Sequence, residues 1–260
     1  MSQGVLLSKD ERGIFLLTLN QPRTRNSLSY QMAQEFERAI GEVKRDEQAR
    51  CLVLTGSGDA FCAGGDYGSI LADFSLPAVE LQPRLRKFYS QFLCITELEI
   101  PTIAAVNGPA VGAGFSLALA CDLRVASTKA TFHANFVRIG VHPGMGATYF
   151  MSRLLGTARA LEILWKAEPI RAEEALRVGI VSKVVDPESL LEEAMGMAAR
   201  IASLPPRPVQ QIKESVYMAV GCSLKQALDR ESHAQALCGE TQEMRARMRT
   251  LGKKGKGNLP

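Results

Sequence analysis

The chain has 260 residues, 46% apolar and 22% charged, which is ample material for a buried core of ordinary globular composition, as one domain with an appendage or as two small domains. Its net charge of +4 is a small excess over 31 basic and 27 acidic residues that are well interspersed, and no basic stripe is interleaved with aromatics, so no nucleic-acid partner is expected. There is no apolar run of about 18 uncharged residues, and no basic region with a hydrophobic signal core follows Met1, so the expectation is a cytoplasmic protein without a membrane partner.

Residues 14–20, Ile-Phe-Leu-Leu-Thr-Leu-Asn, are rich in strand formers and stop at Gln21-Pro22. A helix follows, with Met32, Phe36, Ile40 and Val43 at three- and four-residue steps and Glu35, Glu37, Arg38 and Glu42 opposite. Two short, almost wholly apolar runs, 51–55 and 102–106, suit strands covered on both faces. Between them a Pro- and Gly-bearing loop over 64–83 precedes a helix marked by Leu85, Phe88, Phe92 and Ile95. Strand, helix, strand, helix implies an α/β spiral. After Pro187 the pattern becomes helical, over 190–201, 209–220 and 224–248, with Pro205, Pro206, Pro208 and Gly221 as breakers. The domains are therefore expected as an α/β core over 1–195 and a helical region over 196–260, ending in a solvated Gly/Lys-rich tail at 252–257. The six cysteines, Cys51, Cys62, Cys94, Cys121, Cys222 and Cys238, lack paired metal-ligand spacing and read as reduced core thiols, so no metal is expected; a nucleophilic role is the lesser alternative.

Two glycine-dense turns at strand ends stand apart, Ala60-Phe-Cys-Ala-Gly-Gly-Asp-Tyr67 and Asn107-Gly-Pro-Ala-Val-Gly-Ala-Gly-Phe-Ser-Leu-Ala-Leu-Ala-Cys-Asp122. Glycine permits positive φ and close approach of a ligand to the backbone, and the apolar run from Phe115 starts a helix whose first amides lack internal acceptors. Two such turns facing each other can aim two donors at one developing oxyanion, while tight turns and close helix packing use the same residues.

Both turns, in this order and spacing, resemble the paired signature of the enoyl-CoA hydratase/isomerase (crotonase) superfamily. The resemblance extends to Asn20-Gln-Pro-Arg-Thr-Arg-Asn-Ser-Leu28, Cys121-Asp-Leu-Arg-Val-Ala126, Gly140-Val-His-Pro-Gly-Met-Gly146 and the stretch from Ala172 to Val185. It implies a crotonase-like α/β spiral of ββα units, with a helical C-terminal region used to form a homotrimer or a dimer of trimers, a hexamer. It also implies an acyl-CoA or related thioester substrate of fatty acid metabolism, handled by lyase or isomerase chemistry. Coenzyme A arrives as part of that substrate, and no tightly bound cofactor is implied. The resemblance places oxyanion-hole amides at Gly65 and Ala113, and CoA-binding positions at Arg23, Thr24, Arg25, Ala63, Gly64, Asp66 and Tyr67. Arginine forks suit phosphate oxygens, and solvated turn arginines are the plain alternative.

The family's hydratases use two glutamates, and here those positions hold Ser116 and Phe136, the latter counted by the resemblance among the substrate-binding positions. Neither residue does general acid/base work near neutral pH, so hydration is not the default expectation. His142, in the Val-His-Pro-Gly turn, and His133, on an expected extended segment over 131–140, are candidate substitutes as well as candidate structural residues. Asp66 suits local loop hydrogen bonds. A Ser116, His142, Asp122 triad is formally available, although Gly-Ala-Gly-Phe-Ser lacks the Gly-x-Ser-x-Gly elbow. The segment from Phe136 to Thr148 also resembles crotonase-type decarboxylases of acyl-CoA or acyl-carrier-protein thioesters, with Lys87 or His233 as candidate proton or carboxylate contacts. A catalytically silent acyl-CoA-binding subunit is the remaining alternative.

Overall fold

Each turn of the chain lays down a strand, a second short extended piece, and then a helix. In the structure, a computed structural model that describes residues 3–254, Val5–Lys9 (β1) pairs antiparallel with Ile14–Leu19 (β2). From β2 the chain passes through Leu28, which bridges to Gly65, and enters Tyr30–Arg45 (α1), capped by the Ser29 hydroxyl on the Met32 amide. The second turn runs Cys51–Gly56 (β3), the extended residue Cys62, which bridges to Ala110, and Ala78–Leu93 (α2). The third runs Thr102–Val106 (β4), Ala110–Val111 (β5) and Ala113–Ala120 (α3). The fourth runs Leu123–Ser127 (β6), Thr131–His133 (β7), Ala147–Leu155 (α4) and Thr157–Lys166 (α5). Ile170–Arg171 (β8), Ala172–Arg177 (α6), Lys183–Val185 (β9) and Leu190–Ala202 (α7) complete this part.

The first strand of each turn joins one six-stranded sheet of order β1-β2-β3-β4-β6-β9, parallel beyond the first pair. The second pieces stack beside it, through the Leu28 and Cys62 bridges and the β5-β7-β8 sheet. Period-two alternation explains why the strands are apolar throughout. Phe15, Leu17, Leu52, Leu54, Ala104 and Val106 face one core with Met32, Phe36, Phe88 and Phe92. Ile14, Cys51, Val53, Ile103, Ala105 and Val125 face Leu190, Ala194 and Ala198 of α7 on the other side. Because α7 covers that face, the chain divides after Ala202, and the boundary expected at 195/196 falls inside this helix.

Three local expectations shift. Helix α2 begins well before Leu85 and contains Pro83, whose missing donor would have served the first turn, where Val79 is exposed. The segment 131–140 is extended only over β7 and then bends into a 3-10 turn, Asn135–Ile139. The unit after Ala202 contains Pro206–Ala219 (α8), Leu224–Gly239 (α9) and Gln242–Lys254 (α10), so the third expected helix breaks at Glu240-Thr241. Residues 255–257 of the expected tail lie outside the described residues. No described helix is long and apolar enough to cross a membrane.

Candidate active site

The first glycine turn is held as a piece of strand. The Leu28 amide donates to the Gly64 carbonyl at 2.7 Å, and the Asp66 amide donates to the Leu28 carbonyl at 2.9 Å. In a parallel bridge the residue between two such bonds turns its own N–H the other way, so the Gly65 amide points away from Leu28 and has no hydrogen-bond partner among the described residues. Gly64 carries φ 98°, and a Cβ there would stand 2.8 Å from the Val111 carbonyl oxygen. The turn thus closes only with glycine at 64.

The second turn is held as a helix end. Gly112, at φ 52° and ψ −116°, precedes α3 and supplies no side-chain cap, so the Ala113 amide, first in the helix, is an orphan donor. Alanine occupies this position without a positive φ, because Gly112 absorbs the unusual conformation. Residues 114–120 are all buried. Gly114 packs so closely on Cys62 that a Cβ would lie 2.4 Å from the Cys62 carbonyl oxygen and 2.7 Å from its Sγ. The bridge Cys62 to Ala110 and this contact clamp the two turns together.

Both unpaired amides border one cavity, whose wall includes Ala63, Gly64, Gly65, Gly112 and Ala113. Ile70, Leu71, Phe74, Leu85 and Phe88 supply its apolar side, and Tyr89, Asn135, Phe136, Val141, His142 and Gly144 complete most of the rest. No carboxylate is among the wall residues.

The other expected residues separate into those the fold brings here and those it does not. Phe136, 8% exposed, is an apolar wall of the cavity. Ser116 is fully buried behind it, with its hydroxyl donating between the Gly112 carbonyl at 3.3 Å and the Gly144 carbonyl at 3.2 Å. Asp122 accepts from the Thr102 amide and hydroxyl at 2.7 and 3.0 Å, beyond the far end of α3, so the triad of Ser116, His142 and Asp122 is overturned. His142 is exposed at the cavity; a carbonyl only accepts, so its Nδ1 donates to the Pro143 oxygen at 2.8 Å and Nε2 is left for other partners. His133 points elsewhere, with Nε2 2.8 Å from the Ala167 oxygen. Asp66 holds its own loop, accepting from Ser69 at 2.8 Å and Ser27 at 3.3 Å. Tyr67 is 83% exposed. Arg23, Thr24 and Arg25 are exposed outside the cavity, tied to it by the Ala63 amide, which donates to the Arg25 carbonyl at 2.9 Å. Lys87 and His233 are exposed and not in the cavity wall. Burial pushes the Cys62 thiol up to about 12, so it is a packing group and no thiolate.

Three residues escaped the sequence reading. Asn26, fully buried, donates to the Ser57 and Ala60 carbonyls, each at 2.9 Å, and accepts from Gln21, pinning the approach to the first turn. Tyr89 lines the cavity one helical turn after Leu85, so a polar tip on the apolar stripe of α2 was the available signal. Asn135 reaches the cavity only through the bend after β7, which periodicity does not foretell.

Comparison with known proteins gives the family and the fold. The family model described as enoyl-CoA hydratase/isomerase matches residues 9–257. The chain is 34% identical over 253 residues to the short-chain-enoyl-CoA hydratase of Clostridium acetobutylicum, covering 97% of this chain and 95% of that one. It is 35% identical over 241 residues to the 1,2-epoxyphenylacetyl-CoA isomerase of Escherichia coli, covering 92% of each. The crystal structure of an enoyl-CoA hydratase from Bacillus anthracis superposes with a TM-score of 0.90 at 29% identity, over 97% of each chain.

Proposed function

The chain belongs to the enoyl-CoA hydratase/isomerase family, within the crotonase superfamily, and from that premise we propose that it stabilises the enolate of an acyl-CoA thioester with the backbone amides of Gly65 and Ala113. The observation that carries this reading is the pair of unpartnered amides on the wall of one cavity. Loss of a proton or of carbon dioxide from the α-carbon puts negative charge on the thioester oxygen. Two fixed N–H groups, one of them at a helix N-terminus, then gain strength as that charge develops. Nothing must reorganise at that moment. Arg23 and Arg25, exposed beside the turn, suit the phosphates of coenzyme A, with Thr24, Asp66 and Tyr67 around the same entry. By the same family reading the helical unit after Ala202 serves a homotrimer or a dimer of trimers, which sedimentation velocity checks.

Hydration by two glutamates is not supported, because Ser116 is sealed under backbone carbonyls and Phe136 presents a ring. The chemistry proposed is isomerisation or another enolate reaction with a proton carrier other than those positions, and His142 Nε2 is our candidate, supported by its position on the cavity wall. A second reading, thioester decarboxylation, is favoured by the wall without a carboxylate, since that reaction needs the enolate stabilised and no base to remove a carbon-bound proton.

Incubating the protein with a panel of enoyl- and carboxyacyl-CoA thioesters in heavy water, followed by mass analysis, separates four outcomes. Deuterium gain without added water is the expected result. Release of carbon dioxide from malonyl-, methylmalonyl- or glutaconyl-type thioesters assigns the second reading, and a hydrated product overturns the objection drawn from Ser116 and Phe136. Tight binding of every thioester without turnover identifies a silent binding subunit.

A further inference from the structure

Two polar side chains in the cavity wall make no hydrogen bond among the described residues: the Tyr89 hydroxyl from α2 and the Asn135 carboxamide from the bend after β7. Their placement is related. A Cβ on Gly144 would lie 2.5 Å from the Tyr89 hydroxyl oxygen, and a Cβ on Gly112 would lie 3.1 Å from the Asn135 Oδ1. The carbonyls of those same two glycines are the acceptors between which Ser116 donates. Tyr89 and Asn135 therefore flank the patch of wall above Ser116, and the glycine at 144 leaves the space the hydroxyl occupies. Both side chains are half-buried, within reach of whatever fills the cavity.

A hydrocarbon chain that displaces water from this wall leaves two polar groups without partners, which is unfavourable for each. An oxygen acceptor on the chain satisfies the Tyr89 O–H and the Asn135 N–H donors. Resting on the reading of this cavity as a thioester site, we propose that Tyr89 and Asn135 select an acyl-CoA whose acyl chain carries a neutral second oxygen acceptor, an oxo group, over a plain hydrocarbon chain. A neutral acceptor is assigned because the wall holds no lysine or arginine to accompany a buried carboxylate, and its one histidine, His142, is exposed at the cavity. Burial also pushes the Tyr89 phenol above its ordinary range, so it remains a donor.

The test is binding by calorimetry of pentanoyl-CoA, 3-oxopentanoyl-CoA, 4-oxopentanoyl-CoA and succinyl-CoA to the full chain. At least one oxo thioester is expected to bind about tenfold or more tightly than pentanoyl-CoA, because a site built to hydrogen-bond an oxygen rejects the analogue lacking it. In Tyr89→Phe and in Asn135→Ala that ratio is expected to shrink, and in the double variant to approach parity. Equal binding of pentanoyl-CoA and both oxo forms to the unaltered protein overturns the inference while the thioester reading stands, and this result does not depend on any variant folding. Tighter binding of succinyl-CoA than of both oxo forms overturns it as well. If no acyl-CoA binds, the thioester reading falls and this inference falls with it.

Discussion

The turn that presents Gly65 and the turn that presents Ala113 bring equivalent groups to one cavity by different construction. Gly65 is held by ladder bonds to Leu28, and the residues after it, Tyr67–Leu71 and Ala72–Ser75, are short helical turns with several exposed side chains. Ala113 begins a helix in which every following residue is buried, and Gly114 touches the backbone of Cys62. One donor is positioned by hydrogen bonds at the edge of a lid, the other by close packing inside the core. Two amides to which the proposal gives one chemical part therefore need not contribute equally to stability.

The sharpest way to break the comparison is to remove each amide with proline. Neither N–H has a partner, so Gly65→Pro and Ala113→Pro break no internal hydrogen bond, and position 113 is the first residue of a helix, where proline is well tolerated. Each variant is expected to lower kcat about 10²–10³-fold, or roughly 3–4 kcal/mol, by the measured weight of one oxyanion donor. Steady-state kinetics beside thermal melts checks this. Full turnover in folded Ala113→Pro removes that amide from the chemistry and leaves the two turns functionally unequal.

Adding a methyl group reads the packing side of the same contrast. Gly114→Ala places a Cβ against backbone and buried sulfur, and is expected to destabilise the fold by about 1–3 kcal/mol in urea melts. Gly65→Ala meets only Ile70 at 3.6 Å, ordinary contact, and is expected to change stability by less than about 0.5 kcal/mol. Equal losses would mean that the first turn is as tightly built as the second. Ser116→Ala comes next, with an expected loss of about 1 kcal/mol because a buried hydroxyl leaves two carbonyls. Its turnover should fall only modestly, and a loss as large as that of the proline variants would restore a direct chemical role to Ser116.

The contrast also explains what could be read in advance. Strands β2, β3 and β4 were legible because they are continuous apolar runs between breakers, and helix α1 because Met32, Phe36, Ile40 and Val43 repeat with the helical period. The two glycine turns were visible through residues that only a constrained backbone requires, Gly64 and Gly112. Tyr89 showed only as a polar tip on the apolar stripe of α2, and Asn135 did not show, because what matters about both is a missing partner, and that depends on which elements meet in space. The start of α2 was hidden by Pro83, which the helix accommodates near its exposed first turn. Arg124, although it lies in the 121–126 stretch that carries the resemblance, was equally silent in its role: it lies buried, donating to the Cys121 and Ile180 carbonyls at 2.6 Å each, as the end of α3 dictates.

The most local effect belongs to the lid beside Gly65. Asp73 accepts a short hydrogen bond from the Tyr30 hydroxyl of α1 and pairs with Arg84 of α2 at 3.6 Å, which fastens to two helices the segment carrying Ile70, Leu71 and Phe74. Burial, and then the Asp73 carboxylate, raise the Tyr30 phenol to about 12. An acid whose folded value is raised favours the folded state while it is protonated, so this tether is intact below about pH 10, the unfolded value, and is lost as pH rises toward 12. Tyr30→Phe is expected to weaken the lid by about 0.5–1.5 kcal/mol at neutral pH, seen as faster proteolysis between residues 66 and 76 with little change in the global melt. Above pH 10 the unaltered protein should lose that protection while the variant, already without the tether, shows a flatter profile over the same window. Identical profiles for the two would mean that the ladder to Leu28 holds the first turn unaided, and the first turn would then differ from the second only in its lack of packing.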